Sequence, residues 1–178
     1  MLGRVLKAIR LRLATRRALA TARADSDRNL TRSRGRRVLV LCYGNIYRSP
    51  FAAESLRTAM PELEIRSAGF HSKEGRTSPD AHVRMSAALG VDLLAHRSRR
   101  VRAEDIAWAD LIVIMDRLNW ARLQELQAPA DKVLWLGSLK PGEVEIPDPY
   151  GLDPATARAV VERLAACSAE LAARLKKL

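Results

Sequence analysis

Beyond residue 37, short apolar runs alternate with longer stretches in which apolar residues recur at helical spacing. Four runs are predicted as strands, residues 38–42, 63–67, 111–115 and 133–136, and all but 63–67 are apolar throughout. Such runs are typical of strands in a parallel sheet, because helices cover both of its faces. The pattern therefore predicts an α/β fold, a doubly wound sheet of about four parallel strands with helices on both faces, plus a basic N-terminal extension.

Amphipathic stretches near residues 50–59, 79–89 and 117–126 predict helices between these strands. The last helix has the clearest start, with Asp153 as N-cap and Pro154 at the first helical position. One face of it carries the apolar residues Val161, Leu164, Leu171, Leu175 and Leu178. A sheet of this kind binds ligands at the carboxyl ends of its strands.

The first 37 residues follow a different pattern. At 100° per residue one face collects apolar side chains, namely Leu2, Val5, Leu6, Ile9 and Leu13. Basic residues occupy the other side, and charges interrupt every longer apolar stretch, which excludes a secretory signal. A short basic amphipathic helix is predicted.

Charge divides the chain at the same point. The net charge is +11, but residues 1–37 hold 12 Lys and Arg against Asp25 and Asp27, whereas residues 38–178 hold 19 against 18. We therefore divide the chain into a basic N-terminal extension (1–37) and a folded domain (38–178). Three interpretations of the extension stay open: adsorption to an anionic membrane surface or nucleic acid, an organelle transit peptide, or a solvated segment without function.

Composition further narrows the class of protein. A chain of 178 residues and 19.8 kDa with 48% hydrophobic residues fits one domain with a sizeable core. Cys42 and Cys167, its two cysteines, are too few for a disulfide framework and too far apart for a metal knuckle. We expect a protein of a reducing compartment, the cytoplasm.

The segment LCYGNIYRSPFAAE follows the first predicted strand. Gly44 and Asn45 tolerate positive φ, so the chain can curl until backbone N–H groups converge on one point. Ser49 and Pro50 then read as the N-cap and first position of a helix. A strand, a curled loop and a helix N-terminus form an anion cradle, and a phosphate fits there.

Cys42 and Arg48 give this cradle its chemistry. A cysteine at a helix N-terminus beside an arginine favours the thiolate form, which is a nucleophile. Arg48, six residues on, can fold back and bind two phosphate oxygens through its planar fork. Taken alone, Cys42 could equally be an inert buried strand thiol.

The full string resembles the loop of the low-molecular-weight protein tyrosine phosphatases, C-x-G-N-I-C-R-S-P. Further matches follow in the family's order: SAG at 67–69, GVD to AHRSRRV at 90–101, MDRLN at 115–119 and IPDPYG at 146–151. Residues 1–34 have no counterpart. The resemblance implies hydrolysis of phosphotyrosine, with a phosphotyrosine protein as the partner.

The family's general acid is an aspartate before Pro and Tyr or Phe, which corresponds to Asp148 in PDPYG. The implied mechanism is attack by Cys42 on phosphorus while Asp148 protonates the leaving oxygen, then hydrolysis of the phosphocysteine by water that Asp148 deprotonates. Arg48 and the loop N–H groups stabilise the charge on the phosphate oxygens. No metal or other cofactor is needed.

Other residues carry over in supporting roles. In the family, the serine that corresponds to Ser49 donates a hydrogen bond to the thiolate. The asparagine that corresponds to Asn45 holds the loop in its left-handed turn, and the histidine that corresponds to His96 hydrogen-bonds this asparagine. Asp116, Asn119 and Trp120 follow the third strand and either line the mouth or pack inside. Cys167 is expected to be a core thiol. The predicted substrate-binding residues are Tyr43, Gly44, Asn45, Ile46, Tyr47, Ser49 and Tyr150.

Tyr47 departs from the family, which usually has a second loop cysteine there. With Tyr43 and Tyr150 it could wall a pocket for an aromatic ring, which suits phosphotyrosine. Arsenate reductases share the loop but need two further cysteines on a later segment, where this chain has none. Arginine phosphatases of the family have Thr where this chain has Ile46. A non-catalytic phosphoprotein-binding module is the remaining alternative.

Overall fold

The computed structural model describes residues 2–33 and 36–178, apart from the side chains of residues 2–5, 7 and 8. One parallel sheet has the order β2-β1-β3-β4. The strands are β1 (Arg37–Cys42), β2 (Glu64–Gly69), β3 (Leu111–Ile114) and β4 (Val133–Trp135). The helices are α1 (Leu2–Arg32), α2 (Arg48–Ala59), α3 (Asp80–Ala87), α4 (Ala103–Trp108), α5 (Arg117–Glu125) and α6 (Pro154–Leu175).

Both faces of the sheet are buried at β1, β3 and β4, as their apolar runs predict, whereas β2 exposes Glu64 and Arg66. On β1, Val38 and Val40 pack into one core cluster with α2 and α6. Leu39 and Leu41, which point to the opposite face, belong to a second cluster that contains Trp120 of α5. The predicted doubly wound α/β fold is therefore confirmed.

The ends of two helices show what sequence patterns did and did not reveal. Asp153 caps α6 as expected, because its carboxylate accepts from the backbone N–H groups of Ala155 and Thr156 at 3.0 and 3.1 Å, and Pro154 follows it. The short helix α4 was not predicted. Six residues are too few for a helical repeat to show.

Helix α1 is much longer than the predicted short helix, at 31 residues. Its C-terminal half packs on the sheet: Ala22 and Ser26 are fully buried, and Asn29 and Leu30 are nearly so. The interpretation of residues 1–37 as a solvated segment is therefore wrong for this half. The predicted apolar face lies elsewhere on the helix, since Leu6, Ile9 and Leu13 are about half exposed, and the side chains of Leu2 and Val5 lie outside the described part.

Polar side chains of α1 bond to the free edge of the sheet. β4 has a neighbouring strand on one side only, and the Ser26 hydroxyl accepts from the Trp135 N–H at 3.0 Å while the Asn29 amide donates to Val133 O at 2.8 Å. Arg23 donates to the carbonyl oxygens of three residues in the segment after β4, Ser138, Lys140 and Gly142, at 2.6, 2.9 and 2.5 Å. The helix thus satisfies backbone groups that a fifth strand would otherwise pair with.

Among the helices of the described residues, none is both long enough and apolar enough to traverse a bilayer.

Candidate active site

The loop between β1 and α2, residues 43–47, lies at the carboxyl edge of the sheet. Asn45 has φ +51°, the left-handed turn that lets the chain curl. Gly69, paired with Cys42 across the sheet, leaves room for this curl, because a Cβ there would lie 2.7 Å from Tyr43 O and 2.9 Å from Asn45 N. The SAG motif is thus the surface on which the loop rests.

The start of α2 differs from its prediction. The helix begins at Arg48, with Tyr47 rather than Ser49 at the N-cap position and no side-chain capping bond. Ser49 lies inside the first turn of the helix. Its hydroxyl does not cap the helix, because it bonds instead to the Asn45 amide at 2.9 Å and to the Cys42 sulfur at 3.1 Å. The cap prediction for Ser49 and Pro50 is therefore wrong.

Asn45 ties the loop to three neighbouring segments. Its side-chain amide donates to the hydroxyls of Ser49 and Ser67, the latter at 3.1 Å, and its side-chain oxygen accepts from the backbone N–H of Arg99 at 2.9 Å. His96 reaches the backbone carbonyl of Asn45 at 2.7 Å rather than its side chain. Burial lowers the pKa of His96, which favours the neutral ring with the N–H on the nitrogen that donates.

Cys42 is 1% exposed and has two hydrogen-bond partners at its sulfur. The Asn45 N–H donates to Sγ at 3.2 Å, and the Ser49 hydroxyl lies 3.1 Å away. Since the Asn45 amide already donates to the Ser49 oxygen, the hydroxyl hydrogen is free to point at the sulfur, with Ala68 O, at 3.4 Å, as its more distant alternative. The backbone N–H of Asn45 and the hydroxyl of Ser49 thus both lie within hydrogen-bond distance of the sulfur.

Arg48 is 1% exposed and lies among negatively charged groups. Its guanidinium donates to Asp116 at 2.5 Å, to Asp148 at 2.6 Å and to Ile146 O at 2.8 Å. Burial opposes the charge, but Cys42 and the two carboxylates outweigh it and raise the pKa of Arg48. Its Nε is buried without a partner among the described residues.

Cys42 and Asp148 line one cavity of about 410 Å³. Five other predicted site residues share it: Tyr43, Gly44, Ile46, Tyr47 and Tyr150. Asn45 and Ser49, which were predicted to bind substrate, do not line it, since they are fully buried beneath the loop and their side chains bond to its framework. Arg48, the predicted phosphate clamp, also lies beneath the lining and reaches the cavity through its ion pair with Asp148.

Two lining residues, His71 and Arg76, were missed by sequence analysis. Arg76 donates to Gly44 O at 2.6 Å and to Lys73 O at 3.2 Å, so its guanidinium is fixed at the mouth. Both residues come from the segment after β2, and only the fold brings that segment to the loop. No local pattern could have revealed them.

The Tyr47 ring lies between two other rings. Its ring centroid is 4.9 Å from that of His82 and 6.4 Å from that of Tyr150. His82, also missed by sequence analysis, is 1% exposed and contacts the Tyr47 carbonyl at 3.0 Å. Burial, followed by the charge of Asp148, raises the pKa of the Tyr47 phenol. Tyr47 therefore forms a wall of the cavity rather than packing into the sheet.

The residues after β3 split between the site and the core. Asp116 accepts from the Asn119 N–H at the start of α5 and also holds Arg48. Asn119 and Trp120 are buried, with the Asn119 side chain accepting from the Met115 N–H at 3.1 Å. Of the three, Asp116 contacts the candidate machinery and the others pack. Cys167 is fully buried, as expected of a core thiol, and burial raises its pKa.

Comparison with known proteins agrees with this geometry. The sequence profile described as low molecular weight phosphotyrosine protein phosphatase matches residues 37–178. The chain belongs to this family. It is similar to the probable low molecular weight protein-tyrosine-phosphatase EpsP of Ralstonia nicotianae, with 35% identity over 117 residues, which are 64% of this chain and 77% of that protein.

Solved structures of the phosphatase family share the fold. The tyrosine phosphatase Wzb of Escherichia coli K30, solved in complex with sulphate, has a TM-score of 0.74 at 27% identity, covering 79% of this chain and 99% of Wzb. The YwlE arginine phosphatase of Geobacillus stearothermophilus has a TM-score of 0.68 at 28% identity, covering 79% and 93%. The chain is thus an enzyme of a phosphatase family, and α1 lies entirely outside the residues that the family profile matches.

Proposed function

We propose that this phosphatase hydrolyses phosphotyrosine in proteins through a phosphocysteine intermediate, and that residues 38–178 carry this activity. The observation that supports it most is the meeting of Cys42 and Asp148 in one cavity whose walls include three tyrosines, Tyr43, Tyr47 and Tyr150. A flat ring fits between aromatic walls. The relative Wzb was solved with sulphate, a tetrahedral anion with the shape of phosphate.

The first step forms a bond between the Cys42 sulfur and phosphorus and breaks the bond between phosphorus and the tyrosine oxygen. Asp148 gives its proton to that oxygen, so the phenol leaves neutral. The Ser49 hydroxyl and the Asn45 N–H hydrogen-bond to the sulfur and hold it in place for attack. In the second step water attacks phosphorus, Asp148 takes its proton, and phosphate leaves with the thiolate restored.

Arg48 holds the phosphate oxygens in both steps. Its planar fork offers several N–H groups at fixed angles, and its buried, unpartnered Nε would gain an acceptor from a phosphate oxygen. The ion pairs with Asp116 and Asp148 hold the guanidinium of Arg48 in a fixed orientation beneath the loop. Together with the loop N–H groups it stabilises the charge on the equatorial oxygens.

An arginine phosphatase is the competing activity, because YwlE shares the fold. Ile46 lines the cavity of this chain, and its branched apolar side chain itself offers no hydrogen-bond partner to a guanidinium. Together with the tyrosine walls it favours phosphotyrosine. A non-catalytic binding module would not need Asp148 in the same cavity as Cys42.

The deciding experiment measures phosphate release from a phosphotyrosine peptide, a phosphoarginine peptide and para-nitrophenyl phosphate. We expect the wild type to prefer phosphotyrosine over phosphoarginine and Cys42→Ser to lose at least about a thousandfold in kcat/KM, since the nucleophile is gone. Cys167→Ser is the matched control and should stay within about threefold. Full activity in Cys42→Ser, or preference for phosphoarginine, would overturn the proposal.

We also propose that the exposed half of α1 adsorbs to an anionic membrane surface. Leu6, Ile9 and Leu13 lie on one face, roughly opposite the docked face of Ala22 and Ser26, so the body does not cover them. No acidic residue precedes Asp25, whereas six basic residues lie within positions 2–17. The apolar face favours a bilayer over nucleic acid, which would be bound by charge alone.

A further inference from the structure

A second cavity, of about 540 Å³, lies directly beside the catalytic cavity. Tyr47 lines both cavities. The loop of Asp148 also divides between them, because Asp148 and Tyr150 line the first while Pro149 and Gly151 line the second. The two cavities are therefore neighbouring openings separated by one ring and one turn of chain.

The lining of the second cavity is mainly apolar. Ala157 and Val161 of α6, which are 6% and 1% exposed, face Met85 of α3. Leu89 and Leu152 also line it and are 44% and 39% exposed. Large apolar side chains that stay exposed around a concavity are typical of a binding surface.

The wall between the cavities is fixed in place. The Tyr47 ring packs on His82, and the His82 ring nitrogen Nε2 bonds to the Tyr47 carbonyl at 3.0 Å. Burial lowers the pKa of His82, so the neutral ring donates to this carbonyl. Phe51 of α2 packs on the same histidine, with 6.4 Å between ring centroids. The Tyr47 ring is therefore a fixed wall that the two cavities share.

The spacing suits a polypeptide. An extended chain advances about 3.3 Å per residue, so two residues span about 6.6 Å. The two cavities are separated by the Tyr47 ring, which lines both, and by one turn of chain in which Asp148 of the first cavity precedes Pro149 of the second. One or two residues of extended chain are long enough to pass one ring, so a residue one or two positions from a phosphotyrosine seated in the first cavity reaches the second.

We infer that the second cavity is a subsite for an apolar side chain of the substrate polypeptide, one or two positions from its phosphotyrosine. The inference rests on the proposed phosphotyrosine hydrolysis. Its occupant is part of the substrate rather than a separate ligand, because the subsite is continuous with the catalytic cavity through Tyr47. Small aryl phosphates do not reach it.

The test compares phosphotyrosine peptides that differ only in one flanking residue, Leu or Ser, at the positions one and two before and after the phosphotyrosine. We expect kcat/KM to be about tenfold higher for Leu at one or more of these positions, as burial of an apolar side chain predicts. Ala88→Trp, an exposed position that lines the cavity, should fill it and remove the preference. Leu94→Trp, exposed and outside the cavity, is the matched control and should keep the preference.

Para-nitrophenyl phosphate separates this inference from the catalytic proposal. Ala88→Trp should hydrolyse it at the wild-type rate, and if that variant fails to fold, Leu89→Ser replaces it with the same expectation. Phosphotyrosine hydrolysis without any flanking preference, or a preference that survives in the folded variant, would overturn the subsite. Absence of phosphotyrosine hydrolysis in the wild type would instead overturn the proposed function.

Discussion

The guanidinium of Arg48 donates to the carboxylate of Asp148 at 2.6 Å, so the candidate phosphate clamp and the candidate acid are joined before any substrate enters. Arg48 is almost fully buried, whereas the Asp148 side chain is 37% exposed and lines the catalytic cavity. Under the proposed mechanism, we expect a phosphate bound by Arg48 to compete for this ion pair. Asp148 would then be free to face the leaving oxygen, which would link substrate binding to the availability of the acid.

Asp148→Asn should reveal this role through its dependence on the leaving group. Tyrosine is a poor leaving group, with a pKa near 10, and needs a proton, whereas an activated aryl phosphate departs without one. We expect kcat/KM, which reports the steps up to release of the phenol, to fall about a hundredfold on phosphotyrosine and no more than about tenfold on para-nitrophenyl phosphate. The measurement is the ratio of the two losses, and Asp131→Asn, an exposed aspartate, should leave both rates unchanged. Equal losses would mean that Asp148 holds the loop rather than donating a proton.

Truncation of α1 should destabilise the protein, although the extension contains no proposed catalytic residue. Deleting residues 1–34 removes buried Ala22 and Leu30 and the side-chain bonds of Arg23, Ser26 and Asn29 to the edge of the sheet. We expect the free energy of unfolding to fall by about 3 kcal/mol or more, measured by urea denaturation.

Deleting residues 1–17 is the control for this truncation. It removes the exposed half of α1 and leaves the docked half in place, so the free energy of unfolding should change by less than about 1 kcal/mol. If both truncations were equally stable, the contacts of α1 with β4 would be dispensable.

The contrast between the loop and α1 shows what sequence could predict here. The strands and the cradle were predictable because continuous apolar runs and the order Cys42, Asn45, Arg48 carry their structure locally. The docking of α1 was not, because it uses small and polar residues such as Ala22 and Ser26, which have no apolar repeat and bond to backbone edges.

The same limit applied inside the candidate site. His82 and Arg76 act on the loop through its backbone carbonyls, at Tyr47 and Gly44. Any residue type with an N–H could occupy such a position, so neither carries a motif, and only the tertiary fold brings them to the loop. Asp148 was found because a family pattern marks it.

Adsorption of α1 should be visible with vesicles. The full chain should sediment with vesicles that contain anionic lipid and not with neutral phosphatidylcholine vesicles, and binding should weaken as salt screens the arginines. Replacing Leu6, Ile9 and Leu13 by Gln should reduce binding about tenfold, because the inserted apolar area is lost.

The matched control replaces three exposed leucines outside α1, Leu94, Leu118 and Leu126, by Gln. This variant should bind the anionic vesicles as tightly as the wild type does. Two results would contradict the proposal. One is vesicle binding that survives loss of the three apolar residues, which would indicate charge alone, and the other is concentration-dependent dimerisation through them, seen by light scattering.

Peroxide should inactivate this enzyme irreversibly. A thiolate oxidises first to a sulfenic acid, which a neighbouring thiol can trap as a disulfide, and without a trap it proceeds to the sulfinic acid that dithiothreitol does not reduce. The usual second loop cysteine of the family is replaced by Tyr47, and Cys167 is fully buried in the core formed with α6. We expect recovery of less than about a fifth of the activity after peroxide, quenching and dithiothreitol, and markedly higher recovery for Tyr47→Cys.

Tyr47→Ser is the control, since it opens the wall equally but supplies no thiol. Full recovery of the wild type, or a disulfide between Cys42 and Cys167 in the mass spectrum, would show that the core thiol reaches the loop after all.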